Sequence, residues 1–120
     1  MDTSRQFQPG QIVSLEHSDK NLYAEVIQVV VSRQLCWVRP LFLATFTAVP
    51  PLITDLRDAS DLLWPTQLFR PAFDTEVIML WSQVLTKESK PETDLAIKQQ
   101  LHQFIQQVWQ GYQQRLEMKD

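Results

Sequence analysis

Residues 22–31 read LYAEVIQVVV. Tyr23, Val26, Ile27, Val29, Val30 and Val31 crowd this one short run. β-Branched and aromatic side chains at that density specify a β-strand. A strand this apolar cannot be left with open edges, so the chain around it must supply further strands. The flanks do so. Upstream, Pro9-Gly10 signals a turn, and Gln11 to His17 carries Ile12, Val13 and Leu15. His17 to Asn21 is polar and reads as a loop. Downstream, Ser32-Arg33 marks a hairpin tip without the Asn-Gly chemistry of the tightest turns, so a three- or four-residue loop reaching Gln34 is equally compatible. Leu35 to Arg39 returns as a strand, which Pro40 is expected to end or to mark as an edge. Leu41 to Thr47 and Leu52 to Leu56 read as further strands, broken by Pro50-Pro51. Short strands meandering over residues 7–60 predict a small antiparallel barrel.

The last third of the chain changes period. Asp74 is a plausible N-cap with Glu76 in the first turn, and Val77, Ile78, Trp81, Val84 and Leu85 follow at helical spacing. This short helix should end near Lys87. Ser89 and Glu92 have capping-box spacing, with Pro91 tolerated in a first turn. A long amphipathic helix is predicted from about Lys90 to Met118. Its stripe is Ile97, Leu101, Phe104, Ile105, Val108, Tyr112 and Leu116, widened by Trp109. That stripe could cover the barrel, pair with its own copy in a homodimer, or dock on another protein. The expected whole is one α+β domain: barrel over 7–60, junction over 61–74, helices over 75–118.

Composition removes several function classes. Gly10 and Gly111 are the only glycines. Phosphate-cradling loops need glycine so that backbone N–H groups can approach the ligand, so neither a P-loop nor a dinucleotide fingerprint can be built. Residues 1–60 carry five Lys/Arg against six Asp/Glu, and residues 61–120 six against eight. No basic run offers a footprint for phosphate backbones, which disfavours nucleic acid. Cys36 is the sole cysteine, so no internal disulfide forms. The opening MDTSRQFQPG lacks the pattern of a signal peptide, and the nearly uncharged Pro40 to Thr54 is too short to span a bilayer. The expectation is a soluble cytoplasmic protein without cofactor or metal.

No catalytic group assembles in the sequence. Cys36 lies mid-strand between Leu35 and Trp37, where a buried inert thiol is the common case. His17 and His102 have no ligand spacing with it. Asp55, Asp58 and Asp61 bracket Arg57 but lack the glycine turn of a calcium loop, so caps and loop hydrogen bonds are the expected roles, with a turn of helix at Asp61–Leu63. Tyr23, Trp37 and Trp64 could cluster as a peptide or cation site, or simply fill the core. Gln99, Gln100, Gln103, Gln106, Gln107, Gln110, Gln113 and Gln114 give the long helix a neutral outer face, either solvated or coverable by a partner.

Between barrel and helices lies SDLLWPTQLFRPAFDTEV, residues 60–77. Leu62, Leu63, Trp64, Leu68, Phe69 and Phe73 are expected to plug the barrel, while Pro65 and Pro71 restrict the crossing. Arg70 is the residue a plug does not explain. It should pair with Asp55, Asp58 or Asp74, or face a partner. The candidate partner-binding residues are Trp64, Phe69, Arg70, Phe73, Trp109 and Tyr112.

GQIV…YAEVIQVVVSRQLCWVRPL resembles the first strands of SH3-like barrels, and CWVRPL…DLRDASDLLWPTQLFRPAFDTEV resembles a family of short, uncharacterised cyanobacterial proteins. The resemblance covers about Gly10 to Leu85 and carries no catalytic or ligand residue. A barrel scaffold, a helix with a broad apolar stripe and the lack of an assembled catalytic group point to a non-enzymatic protein–protein interaction role, as accessory subunit or assembly factor of a larger complex; the resemblance implies a photosynthetic setting by association. The alternative is a nucleic-acid- or ribosome-associated SH3-like barrel using Arg33, Arg39, Arg57 and Arg70.

Overall fold

A computed structural model describes residues 7–47, 49–86 and 94–117. It is α+β: six antiparallel strands in one sheet, and two helices. The strands are β1 (Ile12–His17), β2 (Lys20–Val30), β3 (Leu35–Thr45), β4 (Leu52–Asp55), β5 (Leu62–Pro65) and β6 (Arg70–Pro71). The helices are α1 (Asp74–Thr86) and α2 (Asp94–Glu117). Residues 1–88 and 89–120 form two compact units. No helix among the described residues is long and apolar enough to cross a membrane.

The sheet grows outward from the apolar run. β2 pairs β1 on one side and β3 on the other, with His17 opposite Lys20 and Val30 opposite Leu35. Ser18-Asp19 therefore makes a tighter connection than the expected loop, with Ser18 at φ 56. The β2–β3 connection is the longer alternative: a 3-10 turn at Val31–Arg33 closed by Gln34 in the left-handed region at φ 55. Order across the sheet is β4-β3-β2-β1-β6, with β5 also on β3. β4 and β6 are its ends and are not paired with each other, so the sheet is open and the expected barrel closure is not seen.

Three local expectations are corrected. Pro40 neither ends a strand nor marks an edge strand: β3 runs through it, uniting the two strands expected there. A register shift makes this workable, because Tyr23 opposes Phe42 while Ala24 opposes Pro40. Bulges are where a sheet tolerates a residue that cannot donate. Pro40 also falls between the span paired by β5, Leu35–Val38, and that paired by β4, Phe42–Thr45. The second correction is the junction. Asp61–Leu63 forms no helical turn; Leu62–Pro65 is β5, Thr66–Leu68 is a 3-10 turn and Arg70–Pro71 is β6. The third is the helix cap. The Val77 N–H donates to the Phe73 carbonyl, and the Phe73 N–H donates to Glu76 Oε1 at 2.8 Å. Phe73 is thus the capping position and Asp74 the first helical residue, with Glu76 reaching back as in half a capping box. The Ser89–Glu92 box lies outside the described residues.

Period-two alternation sorts the sheet into two faces. On one face Val13, Leu15, Leu22, Val38 and Leu43 are buried, joined by Leu56 and Phe69. On the other, the outer face as distinct from this inner one, Tyr23, Phe42 and Ala44 are covered by Leu80 of α1, with Val77, Trp81 and Val84 packed around them. The Tyr23 and Phe42 rings stack at 4.8 Å, and Trp81 sits 5.6 Å from Phe42. The spacing of Val77, Leu80, Trp81 and Val84 explains why this helix face meets the sheet. In the second unit, α2 shows the expected stripe, with Leu101, Phe104 and Val108 as its buried positions.

Candidate functional site

The strongest polar constellation joins β1, β2, β6 and the first turn of α1. β6 pairs β1 with Ser14 opposite Arg70. That register sets the Arg70 guanidinium between two acids. Its Nε donates to Glu16, and Nη1 donates to Glu76 Oε1 at 2.9 Å and to the Pro71 carbonyl at 3.0 Å. Glu76 also accepts the Tyr23 hydroxyl at 2.6 Å, and Asn21 Nδ2 donates to that hydroxyl at 3.4 Å. Burial alone would raise Glu76, but Arg70, Tyr23 and the Phe73 N–H outweigh it and hold the carboxyl at about 2, against an ordinary 4.5. Burial, helped by Glu76, pushes Tyr23 up to about 12, so it stays a donor at neutral pH. The hydrogen bond to Glu76 and the two carboxylates together raise Arg70 above its ordinary value.

Every member of this network meets a partner. Arg70 does pair with acids, but Glu16 and Glu76 take it rather than Asp55, Asp58 or Asp74. The chemistry is that of a clasp between helix and sheet. A carboxylate held near 2 is ionised at neutral pH and is no proton donor there.

The other acids are similarly engaged. Asp55 accepts from Arg57 Nε at 3.0 Å and Nη2 at 2.7 Å, and these bonds hold Asp55 below its usual range. The Arg57 guanidinium lies 5.1 Å over the Trp81 ring. Asp61 instead accepts the Trp37 indole N–H at 2.9 Å and lies 3.6 Å from Arg39 Nε. Asp55 and Asp61 thus diverge, and no cluster of His, Cys, Asp or Glu fit for a metal occurs among the described residues. His17 ends β1 and His102 is exposed on α2.

Cys36 is fully buried, and burial pushes its thiol up to about 11. Such a thiol is a poor nucleophile. Native protein at pH 8 should react with a thiol-specific reagent at least about a hundredfold more slowly than protein unfolded in guanidinium, as a thiol this deep in a core requires. Equal rates would show that Cys36 is accessible.

The aromatic residues separate. Tyr23 is in the α1 seam, opposite Phe42. Trp64 opposes Cys36 on the inner face and is half-buried. Trp37 opposes Leu63 on the outer face, beyond the reach of the Tyr23–Phe42 seam. Trp37 is 39% exposed and Leu63 54%. They sit side by side on the outer face, apart from the Tyr23–Phe42–Leu80 cluster, next to Arg39 opposite Glu25. The expectation that Leu63 plugs a core is therefore corrected. The same alternation runs along β3, where Cys36, Val38 and Pro40 are buried and Trp37 and Arg39 exposed.

Of the named partner-binding candidates, Phe69 is fully buried and belongs to the core, and Arg70 belongs to the clasp. Phe73 is 72% exposed at the start of α1. Trp109 and Tyr112 lie one turn apart on α2 with ring centroids 5.6 Å apart. Most of the helix glutamines are exposed; Gln100 is half-buried.

Comparison with family models, curated proteins and solved structures found no match.

Proposed function

We propose that the chain is a non-enzymatic protein–protein interaction protein, an accessory subunit or assembly factor of a larger complex, whose partner docks on the Trp37–Leu63 half of the outer sheet face. One observation carries this reading. Two large apolar side chains stand exposed on adjacent strands, and the Trp37 indole is already oriented by Asp61. A tryptophan held on a rigid sheet binds with little ordering cost and is a favoured interface anchor. The nearby Arg39 and Asp61 form a pair, so covering this face would strand neither charge alone.

The strand order supports an SH3-like frame for this surface. The meander β1–β4 is followed by a 3-10 turn before β6 returns to pair with β1. The likeness to short cyanobacterial proteins suggests a photosynthetic complex as the setting. The nucleic-acid alternative draws less support: Arg39, Arg57 and Arg70 are each held by a carboxylate, which reduces the free positive charge a phosphate backbone needs.

Affinity capture from source cells, with wild type and Trp37→Ser run in parallel, tests the reading. A protein enriched with wild type and lost with the folded variant is expected. Capture of nucleic acid that weakens steeply with salt would favour the alternative, and no difference between the two baits would remove the proposed face.

A further inference from the structure

Three charges border Trp37 and Leu63 on the outer face, and one of them is unmatched. Arg39 and Asp61 lie 3.6 Å apart. Glu25 opposes Arg39 in the register of β2 and β3, yet it makes no hydrogen bond or ion pair among the described residues. It is half-buried. Trp37 is its diagonal neighbour across the strands, at the roughly 7–8 Å that long side chains can span.

The Trp37 ring is also unmatched on its face. Its N–H donates to the Asp61 carboxylate at 2.9 Å. That bond fixes the ring, and a carboxylate acceptor adds to the negative potential that an indole face carries. No aromatic ring or cation among the described residues stacks on it. Arg39, the cation of β3, turns to Asp61 instead, whereas Trp81 carries the Arg57 guanidinium at 5.1 Å.

We infer that the partner docked on this face presents an arginine or lysine, whose cation lies on the Trp37 ring and pairs with Glu25, beside an apolar residue that covers Leu63. This rests on the docking role proposed for the face. Charge complementarity selects a basic segment. A purely apolar one would bury the Glu25 carboxylate without a counter-charge, which is costly. An acidic one would meet two carboxylates, Glu25 and Asp61, against one guanidinium that is already held. A cation within about 6 Å of the ring centroid is also within reach of the diagonal Glu25. Arginine suits both contacts best, because its planar fork stacks on a ring and donates to a carboxylate at the same time.

Selection of a random peptide library displayed on phage, against the full chain and against Trp37→Ser in parallel, tests this. The expected peptides are enriched on wild type and not on Trp37→Ser, and they carry arginine or lysine beside an apolar residue. A synthetic copy of the most enriched peptide should bind Glu25→Gln about two- to fivefold more weakly than wild type, as a partly exposed ion pair allows. Glu25→Arg should weaken it further. Both variants should keep the wild-type unfolding midpoint, since Glu25 holds no bond in the fold. With the peptide's basic residue replaced by glutamine, wild type and Glu25→Gln should bind equally, the result a double-mutant cycle gives when the two groups pair. Trp37-dependent peptides with no excess of basic residues, or with binding indifferent to Glu25→Gln, overturn the basic partner and leave the docking face standing. Selection that yields no Trp37-dependent peptide overturns both.

Discussion

Glu76→Ala is expected to lower the free energy of unfolding by about 2–3 kcal/mol at pH 7, a large share of the roughly 5–15 kcal/mol typical of a domain. The carboxylate accepts from Arg70, Tyr23 and the Phe73 N–H, so one truncation removes an acceptor from three donors, of which Arg70 keeps Glu16 and the Pro71 carbonyl. The figure lies below full linkage because 24% of the Glu76 side chain meets solvent. The sign with pH follows from the depressed carboxyl. Its folded value of about 2 lies below the ordinary 4.5, so its contribution is complete above 4.5 and is lost as pH falls through about 2. Urea unfolding at pH 7 and pH 2 measures both effects. Wild type should lose more stability than Glu76→Ala between those two values. Parallel losses would show that the clasp does not hold the helix to the sheet. Glu76→Gln, which keeps one acceptor oxygen for the Phe73 N–H and turns its amide NH2 toward the Tyr23 oxygen, should fall between the two.

Phe69→Ala should cost about 3–5 kcal/mol, the usual penalty for emptying a packed aromatic site. Phe69 is fully buried, between the 3-10 turn and β6. Phe73→Ala, four residues on, should change stability by less than about 0.5 kcal/mol because its side chain is largely in water. Chemical denaturation of the two variants separates core from surface within one short segment. A small effect at Phe69 or a large one at Phe73 would reverse these assignments.

That pair also shows how far the sequence could be read. β1 to β3 were legible because Leu22 to Val31 can be little but strand, and Pro9-Gly10 punctuates its neighbour. α1 was legible because Val77, Trp81 and Val84 keep helical period, and Glu76 was rightly placed in its first turn. Pro40 was misread because its tolerance depends on a register shift between Tyr23 and Ala24, a property of the pairing and not of the residue. Residues 61–71 hid two strands because each is very short and Pro65 and Pro71 sit at their ends. Phe69 and Phe73 look alike in sequence, and only the return of β6 to β1 turns one inward. Of the acids that take Arg70, Glu76 is six positions away but was read only as a first-turn residue of α1, and Glu16 is 54 positions away and is brought close by the same return.

The candidate site was half visible. Trp37 stood out as an aromatic on a strand, and its exposure follows from the alternation over Cys36–Pro40, ahead of the register shift. Leu63 could not be placed beside it before β5 was known to pair β3. Asp61, read as a loop carboxylate, orients the indole through a hydrogen bond that only this pairing allows.

The most direct measurement of the central claim is calorimetric titration of the captured partner into wild type and into Trp37→Ser. Wild type should bind, and the variant, still unfolding in one cooperative transition though destabilised by loss of the Asp61 hydrogen bond, should bind at least about tenfold more weakly, as truncation of an interface anchor requires. Equal affinity for the two folded proteins would contradict the assignment of the Trp37–Leu63 face as the docking surface.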